Sequence, residues 1–430
     1  MLTGLKMAAC AAAGAAACAA VRATSLAGLL VLAMHAAPAL AAGDTAHSVP
    51  LLAQAGPALT TPSAPVWSNP GSPATAAPAV VPMPSGVTQT RMALLLPNRS
   101  GMFGAAADAV RTGFLTAYSR QKENIQLSIV ETGDSAADMQ RAYEDASTKF
   151  DILVGPLSRS AVTSIAQSGR VSKPTVALAQ PDLPPESEQR LPPLMLTIGL
   201  SIDDEARQVA NWVEKEKAPG KIFAVATPVA WQKRAVRAFQ VTARRLGMQA
   251  ETLELSTPGN VLSAPGLAQL ARRVEQEKPA LIFAALDAAQ TLQLRNAIGT
   301  ELPIYGTSQI NPYTLGRDNP NDKMPELDGV RLIDIPWQLE PDQSAVSRYP
   351  RPATADGERP NADLARLYAL GIDAYRIAYE ISLQRSGFDL DGVTGRLNVN
   401  MVGGGTTYFQ RQETQAVYQD GWPVPTADQH

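Results

Sequence analysis

Met92-Ala-Leu-Leu-Leu-Pro-Asn-Arg-Ser-Gly-Met-Phe-Gly104 is followed by Ala109-Val-Arg-Thr-Gly-Phe114. The run Met92–Leu96 is apolar and is closed by Pro97. Ala106, Val110, Phe114 and Tyr118 then recur every four residues. The first pattern reads as a short strand buried on both faces, the second as a helix with one buried face.

The same alternation continues downstream. Strands are expected at Met92–Leu96, Gln126–Glu131, Ile152–Val154, Thr175–Ala179, Ile222–Ala226, Ala250–Leu255, Leu281–Ala285 and Ile304–Tyr305. Helices are expected at Ala105–Ser119, Asp138–Lys149, Asp203–Glu216, Gln232–Leu246, Leu267–Lys278 and Ala288–Ile298. Ser201 is placed to cap the third of these. Strands apolar on both faces and separated by helices predict parallel sheets covered on both sides. Two such runs, about 91–198 and 200–305, predict two α/β lobes, with Leu196-Thr-Ile-Gly-Leu200 crossing between them. Val330–Ile335, a long helix near Ala362–Gln384 and the β-rich Thr406–Gln419 then return to the lobes. The expected division is lobe 1 at about 91–198 and 330–398, and lobe 2 at about 200–306 and 399–425. Crossings are expected near Gly199–Ser201 and between Thr307 and Val330.

Upstream, residues 1–41 read as a signal peptide. Arg22 precedes an apolar core, and Ala39 and Ala41 supply the small residues for cleavage after Ala41. A membrane anchor and lipidation at Cys18 are the competing readings; the apolar core is short for a span. Residues 42–90 are rich in Pro and Ala, with one acid, Asp44, and no Lys or Arg. This composition predicts an extended, disordered linker.

The formal net charge is −3, and no Lys/Arg-rich run occurs, which argues against a nucleic-acid partner. Cys10 and Cys18 both fall in the leader, and His35, His47 and His430 fall in the leader, the linker and the last position. The expected folded part therefore lacks the residues of zinc–sulfur, histidine-metal and Ser-His-Asp or Cys-His chemistry. No cofactor or metal is expected. Ser119-Arg-Gln-Lys122 matches the nucleophile motif of penicillin-binding enzymes, but its companion motifs are absent, and we read it as chance.

Asp151-Ile-Leu-Val-Gly-Pro-Leu-Ser158 and Lys173-Pro-Thr-Val-Ala-Leu-Ala-Gln180, with the opening stretch, resemble the strands and ligand loops of type I periplasmic-binding proteins. The wording is closest to the penicillin-binding protein activators of the LppC/LpoA family. Tyr368-Ala-Leu-Gly-Ile-Asp-Ala-Tyr375 and Leu390-Asp-Gly-Val-Thr-Gly-Arg-Leu397 resemble that family's late motifs. The resemblance spans about 91–423. It implies an outer-membrane lipoprotein that reaches through the periplasm and, without chemistry of its own, binds and stimulates a class A penicillin-binding protein, the bifunctional peptidoglycan synthase; the leader instead predicts a soluble periplasmic product. The family's lipobox and its N-terminal helical-repeat domain find no match in this sequence.

The resemblance also points to strand ends facing an interlobe cleft, where a small ligand would sit. Ser100 and Gly101 follow the first strand; Ser158 and Gln180 follow the third and fourth. Trp231 and Asp287 take the same relative places in the second lobe, as an aromatic lid and an acid for a ligand ammonium. Each has a plainer reading: turn residues for the first four, a core tryptophan and a helix cap for the last two. A transport receptor for an amino acid or another small polar ligand is the alternative function. A glycan hydrolase lacks a visible pair of carboxylates.

Overall fold

The computed structural model describes residues 89–99, 101–182, 191–217, 219–313, 322–352, 361–401 and 407–426. The expected leader, and the linker up to residue 88, lie outside the described residues.

Alternation along single strands explains both lobes. In β1 (Thr90–Leu96), Met92, Leu94 and Leu96 enter one apolar cluster, while Ala93 and Leu95 enter another on the opposite face. The strand pairs in parallel with β2 (Ile125–Glu131) and β3 (Ile152–Val154). With β4 (Thr175–Ala177) and β5 (Met195–Thr197) they form a sheet of order β2-β1-β3-β4-β5. Helices α1 (Gly104–Arg120), α2 (Ala136–Lys149) and α3 (Arg159–Gln167) connect these strands.

Lobe 2 repeats the scheme. In β6 (Ile222–Ala226), Ile222, Ala224 and Ala226 face one cluster, and Phe223 and Val225 face another. The first cluster holds residues of α4 (Ile202–Lys215) and α5 (Ala230–Arg245); the second holds residues of α6 (Ala264–Glu277) and α7 (Ala288–Ile298). Ser201 caps α4 by accepting from the Asp204 amide at 3.2 Å. The second sheet has the order β15-β14-β10-β9-β8-β6-β7. Its new members are β7 (Ala250–Glu254), β8 (Leu281–Ala284), β9 (Ile304–Gly306), β10 (Arg331–Asp334), β14 (Thr414–Gln419) and β15 (Trp422–Pro425). Only β14 runs against the others: it is antiparallel to both of its neighbours, β10 and β15.

The tail departs from the expected division. β10 lies in the second sheet, beside β9, and not in lobe 1. Two short helices, α8 (Pro336–Leu339) and α9 (Ser344–Ser347), follow it, and then the long α10 (Ala362–Ser382). An antiparallel sheet of β11 (Gly387–Asp391), β12 (Arg396–Asn400) and β13 (Tyr408–Gln412) comes next. Leu397 and Val399 of β12 join the lobe 1 cluster, so this sheet belongs there and the return to lobe 2 comes at Glu413 rather than 399. The second crossing falls between Asp334 and Pro336, not between Thr307 and Val330. Period-two patterns cannot say which of two sheets a strand joins, which is why sequence misplaced both boundaries.

α10 carries most of lobe 1 against α1. A Cβ on Gly113 would lie 1.9 Å from the Tyr368 carbonyl oxygen, and one on Gly371 would lie 2.1 Å from that of Val110. The backbones touch at this crossing, and only glycine allows it. Asp373, two residues further on, binds the tight turn between β11 and β12. It accepts from the amides of Val393 (3.1 Å) and Thr394 (2.8 Å) and from the Thr394 hydroxyl (2.7 Å). The two late motifs are therefore one packed unit.

Candidate functional site

A cavity of about 310 Å³ opens between the lobes. Lobe 1 supplies Leu157 and Arg159 at the start of α3, Leu178–Gln180 after β4, and Leu367 and Leu370 of α10. Lobe 2 supplies Trp231 and Arg234 of α5 and Gln309 after β9, and the first crossing supplies Leu200, Ser201 and Ile202. Five leucines make much of this wall apolar. The charged side chains in it are the two arginines, one from each lobe.

The expected site residues separate. Gln180 and Trp231 line the cavity, and Trp231 is half-buried there rather than sealed in a core. Gln180 is committed to Thr197: its Oε1 accepts from the Thr197 hydroxyl at 2.9 Å and its Nε2 donates to the Thr197 carbonyl at 3.4 Å. Ser158 is outside the wall, between two residues that form it. Its Oγ accepts from the Ala161 amide at 3.4 Å as the cap of α3. Asp287 is also outside the wall. It caps α7, accepting from the Gln290 amide at 2.8 Å in a reciprocal box. Burial pushes its carboxyl upward. Gly101 is exposed ahead of α1 and does not line the cavity, and Ser100 lies outside the described residues.

Sequence reading missed Arg159 and Arg234. The first stands one residue after Ser158. The second stands one helical turn after Trp231, and that spacing was the available signal. Arg159 pairs with Asp182 at 3.5 Å and Arg234 with Asp203 at 3.7 Å, both in partly exposed positions. Among the described residues the wall therefore offers cations and apolar surface, and no carboxylate for a ligand ammonium. Among the described residues no group of His, Cys, Asp and Glu is arranged to hold a metal.

Most buried charge lies instead where the chain crosses between lobes. Arg366 of α10, 6% exposed, forks onto Asp334 at the end of β10, which is fully buried. Its Nε donates to Oδ1 at 3.0 Å and a terminal nitrogen donates to Oδ2 at 2.7 Å. The same nitrogen donates to the carbonyls of Ser308 and Asn311. Glu205 of α4 accepts from the Ser308 amide (2.8 Å) and hydroxyl (3.0 Å). Burial, reinforced by the Asp334 charge, pushes the Glu205 carboxyl up to about 7 against these hydrogen bonds. Arg411 closes the arrangement. It donates to the carbonyls of Ile198 (2.6 Å) and Gly199 (3.2 Å), tying the third crossing to the first.

Two α/β lobes joined by three crossings define a two-lobed type I periplasmic-binding-protein fold. The model of the family described as "LppC putative lipoprotein" matches residues 83–258 and 262–421, and the chain belongs to that family. It is similar to the penicillin-binding protein activator LpoA of Aliivibrio fischeri, with 25% identity over 365 residues, covering 77% of this chain and 57% of that one. Among solved structures it is similar to the C-domain of Haemophilus influenzae LpoA, described as a regulator of PBP1A. The TM-score is 0.62 at 22% identity, covering 79% of this chain and all of that one. A Chromobacterium violaceum protein described as "a putative branched-chain amino acid ABC transporter" matches at 31% identity and TM-score 0.60, over 76% of this chain and 100% of that one. The chain spans just over half the length of the curated relatives it matches. No helix among the described residues is long and apolar enough to cross a membrane.

Proposed function

We propose that the domain is a periplasmic regulator that binds a class A penicillin-binding protein and stimulates its synthesis of peptidoglycan, without chemistry of its own. The family match, which runs through both lobes and the late motifs, carries this reading. The cleft supports it by what its wall is made of. A receptor for a zwitterionic amino acid needs an acid for the ammonium and free donors for the carboxylate. Here the acid at the expected position is a helix cap, and the amide at the other is held by Thr197. The buried crossings favour a fixed angle between lobes, which suits a docking scaffold better than a closing trap. Cleavage after Ala41, with residues 42–90 as a tether, would let the domain search for its partner; lipidation at Cys18 is the alternative anchor.

One observation favours a transport receptor, namely the likeness to the Chromobacterium protein. In that case the two arginines and the leucines of the cleft would take a small apolar carboxylate. Reconstitution decides between them. The full chain added to the class A synthase of the same organism should bind it and raise glycan polymerisation or cross-linking. An unchanged rate without binding, together with saturable uptake of a branched-chain carboxylate in the cleft, would make the protein a receptor.

A further inference from the structure

A second cavity, of about 340 Å³, shares no residue with the cleft. It lies at the third crossing, where β13 of lobe 1 passes into β14 of lobe 2. The β strands contribute Gln410, Gln412 and Gln415, and α4 contributes Gln208, Asn211 and Trp212. Five of these six carry carboxamides, each able to donate and accept at once.

Glu413 is the residue that needs explaining. It lines the same cavity and is only 3% exposed. Its amide is matched, donating to Gln208 Oε1 at 2.9 Å. Its Oε2 has no hydrogen-bond partner among the described residues. Arg411 lines the same cavity, but its hydrogen bonds go elsewhere. It directs its three nitrogens at Thr394 Oγ1 and at the carbonyls of Ile198 and Gly199. Glu214 and Lys215, which also line the cavity, are exposed. A buried carboxyl oxygen without a donor costs about 1–3 kcal/mol, more if charged. Burial and the neighbouring Glu205 charge hold the Glu413 carboxyl well above its usual range, so it keeps its proton while the cavity is empty and gives it up only to a cation that enters.

We propose that this cavity binds a small polyhydroxy ligand carrying a primary ammonium group, of the amino-sugar class, with Glu413 receiving the ammonium. The carboxamides answer hydroxyl groups, which donate and accept as they do. The edge of Trp212 gives one apolar side. The volume is within the range of small-molecule sites, which begins at about 300 Å³. Because the wall draws on both lobes, an occupied cavity also bridges them. The proposal does not rest on the regulatory reading.

The probe is glucosamine, titrated into the full chain by calorimetry at neutral pH, with N-acetylglucosamine as its uncharged counterpart. Saturable binding of glucosamine is expected, at least tenfold tighter than that of the N-acetyl form. Glu413→Gln should weaken glucosamine tenfold or more while leaving the N-acetyl form unchanged. Asn211→Trp, at an exposed helix position, fills the mouth without disturbing the core and should abolish binding of both; it carries the test if the Glu413 variant does not fold. Arg234→Ala, in the other cavity, should leave glucosamine binding as it was. No binding of glucosamine, equal binding of the two sugars, unchanged binding after Asn211→Trp, or loss on Arg234→Ala would each overturn the assignment.

Discussion

The cleft and the crossings use charge in opposite ways. In the cleft, Arg159 and Arg234 are partly exposed and loosely paired, at 3.5 and 3.7 Å. At the crossings, Arg366, Asp334, Glu205 and Arg411 are buried and almost every polar atom is answered at hydrogen-bond distance. The difference teaches where this chain invests its polar groups: in holding two lobes in one relation, more than in gripping a ligand between them. α10 serves both regions. Arg366 points to the crossing, Leu367 and Leu370 line the cleft, and Gly371 seats the helix on α1.

The largest effect is expected from breaking the buried pair. Arg366→Met leaves Asp334 charged and buried, with only the Asn311 amide and the Ile335 backbone N–H as donors among the described residues. Removing one partner of such a pair costs about 3–5 kcal/mol. Urea unfolding should show that loss. The double variant Arg366→Met, Asp334→Leu should recover part of it, because no unpaired charge remains. A single variant as stable as the wild type would mean that the crossing is not held by this pair.

Gly371→Ala comes next. Its new methyl would meet the Val110 carbonyl, so α10 must move off α1. Overpacking of this kind costs about 1–3 kcal/mol. Since α10 feeds both regions, the shift should also change Trp231 fluorescence at the cleft. Loss of stability without any change at the cleft would show that the two regions are separable along the helix.

These two sites mark how far the sequence could be read. The βα rhythm from Met92 to Ile304 was legible because the central strands are apolar on both faces, the edge strands β2 and β7 on one, and the helices between them have a buried stripe. Gly113 and Gly371 were visible within quoted motifs, yet nothing local says that two glycines 258 positions apart meet. The site was less legible for a similar reason. Ser158 and Asp287 have the residue types of ligand contacts and of helix caps alike, and the backbone amides took them first. The crossing network was hidden further, because Arg366, Asp334, Glu205 and Arg411 come from four elements and read singly as surface charges.

A third prediction concerns pH. The Glu205 carboxyl is raised in the folded protein to about 7, from an ordinary value of 4.5, because burial and then the Asp334 charge disfavour its ionised form; the hydrogen bonds from Ser308 and the Arg366 charge pull the other way, and Glu413 is its other charged neighbour. Between these values the folded state keeps a proton that the unfolded chain has released. Its contribution is therefore full below pH 4.5 and is lost as pH rises through 7, at up to about 1.4 kcal/mol per pH unit. Glu205→Gln should flatten this slope relative to the wild type, read as the difference between urea midpoints at pH 5, 6 and 7. Parallel slopes would mean that Glu205 is ionised throughout.

The smallest effect should come from the cleft. Arg159→Ala and Arg234→Ala together remove both cations of its wall and both loose ion pairs. Pairs this exposed contribute about 0–1 kcal/mol, since water already screens the charges and holding two long side chains costs entropy. The aliphatic stem of Arg234 beside Trp231 adds a little packing. The double variant should therefore unfold within about 1 kcal/mol of the wild type. Binding of a small carboxylate such as isovalerate, if the wild-type cleft takes it, should fall at the same time. Stability and cleft chemistry would then be carried by different residues. A loss as large as that of Arg366→Met would instead make the cleft wall part of the same cooperative framework as the crossings, and the contrast between the two regions would fail.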